Sequence, residues 1–219
     1  MSAPAGTRMW AAFALSALVL ALPGCFGTQI YPTLQEHSIA LRPGDLEASG
    51  IAFITPSTVT GQEQEKQAVA LTFADVIKRE RPGLRVVTLA ETLGAINNQA
   101  GLADDYKRMY DEYRDTGLFA RDVLQRIGTA TGTRYLVQLK LQGFGQGSKE
   151  RFGILGLRIV ETQYAHVRLF LQIWDSRDGT IAWEATQEMR ISTDSTKEEP
   201  VSQRTVLEHT AHDLIAKLP

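Results

Sequence analysis

Val167-Arg-Leu-Phe-Leu-Gln-Ile-Trp174-Asp-Ser-Arg-Asp178-Gly179-Thr-Ile-Ala-Trp183-Glu-Ala-Thr-Gln-Glu-Met189 carries the plainest structural signal in the chain. Val167, Leu169, Leu171 and Ile173 alternate with Arg168, Phe170, Gln172 and Trp174, a period of two that buries one face and wets the other. Asp178-Gly179 supplies a tight turn. Beyond it, Ile181, Trp183, Ala185 and Met189 share one parity against Glu184, Thr186, Glu188 and Arg190. The two strands therefore form an antiparallel hairpin. Upstream, Val137, Leu139 and Leu141 alternate with Gln138, Lys140 and Gln142 in the same way.

The residues before this β-rich half read as alternating strands and helices. Ile51-Ala52-Phe53-Ile54, closed by Pro56, is a short buried strand. Val69, Phe73, Val76 and Ile77 fall on one face of a helix over 63–81, stopped by Pro82-Gly83. A second strand over 84–88 ends at Thr88, which has capping-box spacing to Glu91 for a helix bearing Leu93 and Ile96. A crossover of this length implies parallel pairing. Tyr106, Met109, Tyr110 and Tyr113 mark a further helix over 104–114, and Val123, Leu124 and Ile127 another, with Gly128 and Gly132 as terminators. A last helix over 202–218 carries Leu207, Ala211, Leu214, Ile215 and Leu218. The order β-α-β-α-α-α-β-β-β-α predicts an α+β fold, a two-layer mixed sheet with helices on one face.

The N-terminus is read separately. Arg8 precedes an apolar run from Trp10 to Leu22, then Leu22-Pro23-Gly24-Cys25, and Cys25 is the only cysteine in 219 residues. A charged residue, an apolar stretch and a small residue before the cut make a secretory signal. About thirteen apolar residues are too few to span a bilayer, which takes roughly 20. Glycine followed by cysteine resembles the lipobox of bacterial lipoproteins, which implies cleavage before Cys25 and its acylation. The expected division is a signal peptide over 1–24, a lipidated N-terminus and tether over 25–48, and an α+β periplasmic domain over 49–219. A flexible tether of about twenty-three residues reaches roughly 25 Å. Phe26 and Gly27, rather than aspartate, follow the cysteine, which by resemblance favours the outer membrane. With Cys25 acylated, no thiol remains for disulfides, nucleophilic catalysis or thiolate metal sites. The charge balance, 23 basic against 25 acidic residues, offers no basic field to nucleic acid.

Three further stretches are the strand opening Gly50-Ile-Ala-Phe-Ile, the helix-to-strand passage Ala120-Arg-Asp-Val-Leu-Gln-Arg-Ile-Gly128-Thr-Ala-Thr-Gly132-Thr-Arg-Tyr-Leu-Val, and the turn Trp174-Asp-Ser-Arg-Asp-Gly-Thr-Ile-Ala-Trp. Together these resemble the periplasmic lipoprotein domains of the curli secretion subunit (CsgG) type. That group is similar to the N-terminal domain of TolB and to lipoprotein activators of penicillin-binding proteins. The resemblance covers about residues 50–218. Its Gly-x-x-x-Gly and Asp-x-x-x-Gly features are structural, so it implies a fold and a compartment before it implies a task.

Within that resemblance the loop from Gly143 to Gln163 stands out. Curli pore subunits carry two long membrane-inserting hairpins, and a crossing strand takes about 9–11 residues. This segment is barely long enough for one hairpin, and Arg158 and Glu161 would be costly in lipid unless they faced a lumen. Its apolar residues, Phe152, Ile154, Leu155 and Leu157 among them, are read as a partner-binding patch. The alternative is a strand extension folded onto the core.

Candidate chemistry is thin. His209 and His212 are three apart on the last helix, but they lie opposite its apolar stripe, so no metal site is assigned. Ser57 and Thr58 lack the glycines of a nucleophile elbow. Asp104-Asp105 and Asp111-Glu112 read as a solvated helix face, and Gly143-x-Gly145-x-Gly147 does not match a phosphate loop. Tyr106, Tyr110 and Tyr113 read as packing residues with hydroxyls at the rim. The chain is thus expected to be a non-enzymatic, cofactor-free lipoprotein that binds envelope proteins and supports assembly, secretion or wall synthesis. Its membrane contact is the N-terminal lipid, self-association is compatible with this, and the alternative is a CsgG-like export pore subunit.

Overall fold

The computed structural model describes residues 27–154, 157–195 and 200–219, and for 151–160 the backbone only. Seven strands form one mixed sheet: β1 (Thr28–Ser38), β2 (Ile51–Phe53), β3 (Ser57–Thr58), β4 (Val86–Val87), β5 (Tyr135–Ile154), β6 (Leu157–Asp175) and β7 (Thr180–Ser195). Six helices accompany them among the described residues: α1 (Asp45–Ser49), α2 (Glu63–Glu80), α3 (Leu89–Asn97), α4 (Leu102–Thr116), α5 (Arg121–Thr131) and α6 (Gln203–Ile215). The sheet order is β1-β7-β6-β5-β2-β4, with β3 paired to β5. β2 runs parallel to both β4 and β5, while β5, β6, β7 and β1 are antiparallel to their neighbours.

The mixed sheet with packed helices is the fold that the order of elements implies. Its helices, expected on one face, occupy both. On the first face, α2 and α6 cover Phe53, Val137, Leu139, Leu171 and Trp183. On the second, α4 and α5 pack on Ala52, Leu136 and Trp174. The reason is visible in the short strands: Ile51 to Ile54 are all buried, so β2 needs cover on both sides. α3 bridges the two layers, giving Leu89 to the first core and Ile96 to the second. Its capping box forms as the spacing implies, with Thr88 Oγ1 accepting from the Glu91 amide at 3.4 Å and the Glu91 carboxylate accepting from the Thr88 amide at 2.7 Å.

Three local readings are corrected. The span taken as a tether is ordered: Thr28–Ser38 pairs with β7 along its length, and Leu41 and Leu46 enter the first core. β1 is nearly all exposed, with only Leu34 partly buried, so backbone hydrogen bonds rather than a buried face hold it. The segment 143–163 is no loop. β5 and β6 stay paired from Tyr135↔Asp175 to Ile154↔Leu157, one continuous antiparallel ribbon with register shifts after Leu141 and near its end. Finally, Ile181 does not share the face of Trp183. A bulge lets Ile173 pair with Trp183 and Trp174 with Ile181, which turns Ile181 toward the second core. The carbonyl of the bulged Ala182 accepts from the amides of Ile39, Ala40 and Leu41 at 3.1, 2.9 and 3.1 Å, fixing the chain as it leaves β1.

Candidate functional site

The distal half of the sheet leaves one face bare. On β6, Glu161, Gln163, Ala165 and Val167 are buried, whereas Thr162, Tyr164, His166 and Arg168 point the other way. Among the described residues no helix covers that second face here. Cross-strand rows run Gly145–His166–Arg190–Tyr31 and Gly147–Tyr164–Ser192–Gln29. A shallow depression of about 800 Å³ lies over the β6, β7 and β1 members of these rows and Lys149. The face is polar and aromatic, with Tyr31 56% and Tyr164 38% exposed.

The glycines of β5 explain why this face is shallow. A Cβ on Gly145 would stand 2.3 Å from the His166 ring, and one on Gly147 would stand 2.6 Å from the Tyr164 hydroxyl. The two rings lie across the neighbouring strand in space that only glycine leaves. The Gly143-x-Gly145-x-Gly147 cluster therefore serves aromatic cross-strand packing. The sequence carried the signal, alternate glycines opposite alternate rings, but it needed the β5–β6 register to be read.

A second concavity, about 780 Å³, lies beyond the end of β2 among Thr55–Thr58, α4 and Lys140. Ligands in open α/β sheets bind at the carboxyl ends of strands, which is where this concavity lies. The Thr55 amide donates to the Tyr106 hydroxyl at 2.8 Å, and the Tyr110 hydroxyl donates to the Thr55 carbonyl at 2.7 Å. Burial, reinforced by the neighbouring Tyr106, holds the Tyr110 phenol well above its ordinary range, and burial also raises Tyr106. Both are neutral hydrogen-bonding groups at physiological pH. Tyr113 stacks on Phe119 at 4.0 Å, and the Lys140 ammonium sits 4.6 Å from the Tyr113 ring. The tyrosines thus act as packing residues that tie α4 to the end of β2.

The remaining polar motifs are engaged structurally. His212 Nδ1 lies 2.7 Å from a Glu80 carboxylate oxygen, and that hydrogen bond raises its pKa. His209 is half-buried on the same helix. Among the described residues no group of three His, Cys, Asp or Glu is placed to hold a metal ion. Asp105 pairs with Arg108 and Arg126, and Asp111 pairs with Arg114 at 2.6 Å. Ser57 Oγ accepts from Gln138 at 3.2 Å, and Thr58 Oγ1 accepts from the Gly61 amide at 3.1 Å. Of the expected site residues, Cys25 and Leu155 lie outside the described residues. The backbones of Phe152, Ile154 and Leu157 fall at the end of the β5–β6 ribbon, and their side chains lie outside the description. No helix among the described residues is long and apolar enough to cross a membrane.

No protein-family model and no curated protein sequence matches the chain. Solved structures do. The chain is similar to the PelC dodecamer from Paraburkholderia phytofirmans, at 14% identity and TM-score 0.41, over 86% of this chain and 94% of that one. It is similar to lipoprotein GNA1162 from Neisseria meningitidis, at 14% identity and TM-score 0.37, over 77% and 96%. It is also similar to the LpoB C-terminal domain from Salmonella enterica, at 11% identity and TM-score 0.34, over 64% and 82%. Bacterial lipoprotein domains are thus among its structural neighbours.

Proposed function

We propose that this chain is a non-enzymatic, lipid-anchored protein of the bacterial envelope, held through Cys25 at the outer membrane and facing the periplasm. It binds an envelope protein there and supports assembly, secretion or wall synthesis. The observation that carries the reading is the bare second face of the distal sheet, with Tyr31, Tyr164, His166 and Arg190 on its rows. Aromatic residues and arginine are the types enriched at protein interfaces. The resemblance to the curli secretion subunit group and the lipobox-like Gly24-Cys25 support the compartment.

The anchor works differently from a long tether. Cys25 lies three positions before Thr28, where β1 begins, so the lipid and the ordered sheet are within at most about 11 Å of chain. The bare face is therefore held near the membrane, and its partner must meet it there. Mass spectrometry of the N-terminal peptide tests the anchor. Acylated Cys25 as first residue is expected, and unmodified Cys25 inside a longer peptide overturns the reading. In-cell crosslinking from a photoreactive residue at Tyr164 tests the face. It is expected to capture a defined envelope protein, where the same group at Lys78 does not.

A second reading, an oligomeric export pore subunit, draws on the unusual length of the β5–β6 ribbon. Beyond the last described pairing with β7, Glu161↔Ser195, each strand continues for four described residues. A crossing strand takes about 9–11. Ion conductance in planar bilayers would favour this reading over the first.

A further inference from the structure

We infer that the concavity beyond the end of β2 is a binding site for a small organic anion, one that carries a phosphate or a carboxylate, seated between the Lys140 ammonium and the Ser57 hydroxyl. The position follows from topology. β2 and β5 are adjacent and parallel. β2 leads through α2 to β4 on one side, and β5 pairs with β6 on the other. Where neighbouring strands part in this way, a crevice opens beyond their carboxyl ends. β3 floors it, with Ser57 paired to Lys140 and Thr58 to Leu141. Ser57 and Lys140 therefore stand side by side, and residues of α4 form the facing wall. The opening of about 780 Å³ has room for a metabolite-sized ligand.

Positive charge is what the concavity leaves unmatched. Lys66, Lys107 and Lys140 line it, and among the described residues none of the three forms an ion pair. The carboxylate in its lining, Asp111, is engaged by Arg114 at 2.6 Å. Lys140 is half-buried, its ammonium 4.6 Å from the Tyr113 ring and 5.9 Å from the Phe170 ring. The rings attract the cation, but an ammonium carries three donors that rings do not satisfy as oxygen does. Charges withdrawn from water are ordinarily paired. Ser57 adds a directed donor. Gln138 is fully buried and donates from Nε2 to Ser57 Oγ at 3.2 Å, while its Oε1 lies 3.0 Å from the Tyr110 hydroxyl. With that lone pair occupied, the Ser57 hydroxyl proton is turned away from Gln138, and no acceptor for it is found among the described residues. A hydroxyl and an ammonium on paired strand positions are donors that one phosphate or carboxylate group accepts together. The chain as a whole has a formal net charge of -2, so this excess of cations is local.

Equilibrium dialysis of the full-length chain in mild detergent, against radiolabelled glucose 6-phosphate and glucuronate, tests the inference. Glucose, which has the same ring and no charge, is the control. At least one of the two anions is expected to bind saturably at millimolar concentration or below, and glucose is not. Tighter binding of glucose 6-phosphate assigns the site to phosphate, and tighter binding of glucuronate assigns it to carboxylate. Lys140→Met keeps an unbranched stem against Tyr113 and removes the charge, so it should weaken binding about tenfold, as loss of a charge-assisted hydrogen bond does. Ser57→Ala should weaken it about threefold, and Lys140→Arg should retain most of it. Lys78→Met, exposed on α2 and outside the concavity, should change nothing. Melting temperatures show whether each variant is folded. If Lys140→Met does not fold, Ser57→Ala and the double variant Lys66→Met with Lys107→Met decide in its place. The inference is overturned if neither anion binds saturably, if glucose binds as well as they do, or if the folded variants of the concavity bind like the parent.

Discussion

Trp183 is 1% exposed in the first core, opposite Ile173 and among the side chains of α6. Replacing a buried tryptophan by alanine costs about 3–5 kcal/mol, a large part of a typical total stability of about 5–15. Trp183→Ala should therefore lose its cooperative thermal transition or melt far below the parent. His209→Ala, on the half-buried flank of α6, should stay within about 0.5 kcal/mol of the parent at neutral pH, as surface changes do. His212→Ala adds a pH dependence. The hydrogen bond to Glu80 raises the folded pKa of His212 above its unfolded value, which is about 6.5. Its stabilisation is then fully present below about pH 6.5 and is lost as pH rises through the folded pKa. The side chain is 62% exposed, and exposed pairs contribute only about 0.2–1 kcal/mol. Denaturant titrations should show a small gap between parent and variant at pH 5.5 that closes by pH 8.5, and a gap that widens with pH would contradict the pairing. At this scale parity made Trp183 legible. It misplaced Ile181, because a bulge at Ala182 shifts the register by one residue, and no residue type marks it.

Elements were legible where side chains carry their signal. The apolar stripe of α2 and the capping box of α3 stand in the sequence as they stand in the fold. The alternation of β5 and β6 marks the strands, but the face it assigns to water is buried at Gln138, Gln172 and Trp174, where Tyr110, Tyr113 and the second core cover it. The Gly-x-x-x-Gly of α5 is more specific than a terminator. Gly132 adopts φ +65° and closes the helix in the left-handed region. Gly128 serves close approach: a Cβ there would lie 2.4 Å from Ser176 Oγ and 3.0 Å from the Thr133 carbonyl oxygen. The Asp-x-x-x-Gly turn begins at that point. Asp175 accepts from Arg134 at 2.9 and 2.6 Å and from the Arg177 amide at 3.0 Å, and Gly179 takes φ +75°. The two motifs are thus one contact, seating α5 on the β6–β7 turn. Gly128→Ala should destabilise by about 1–3 kcal/mol, the usual cost of overpacking, whereas Gly94→Ala, with open space around it, should be neutral or slightly stabilising. Thermal melts of the pair check this, and equal melting temperatures would mean that α5 shifts freely.

The whole molecule shows why β1 escaped the sequence. Its eleven residues are held by a backbone ladder to β7 while nearly all their side chains stay in water. Periodicity in residue type arises only where one face is buried, so such a strand leaves no pattern, and Pro32 argues against a central position only. The bare distal face was hidden for a related reason: alternation along β6 shows that one side is wet, not that β5, β7 and β1 extend the wet side into a surface. β1 also covers the outer edge of the long strand β7, and an uncovered edge offers unpaired amides and carbonyls to another chain. Deleting Thr28–Ser38 while keeping Leu41 and Leu46, which fill the first core, should therefore preserve the far-ultraviolet circular dichroism of the domain but promote association. Light scattering after size exclusion should show a larger mass or aggregates compared with the intact chain at the same concentration. An unchanged mass with an unchanged melt would mean that the edge of β7 is protected without β1. Loss of the fold altogether would mean that the β1–β7 ladder, despite burying almost no side chain, is required for the sheet to form.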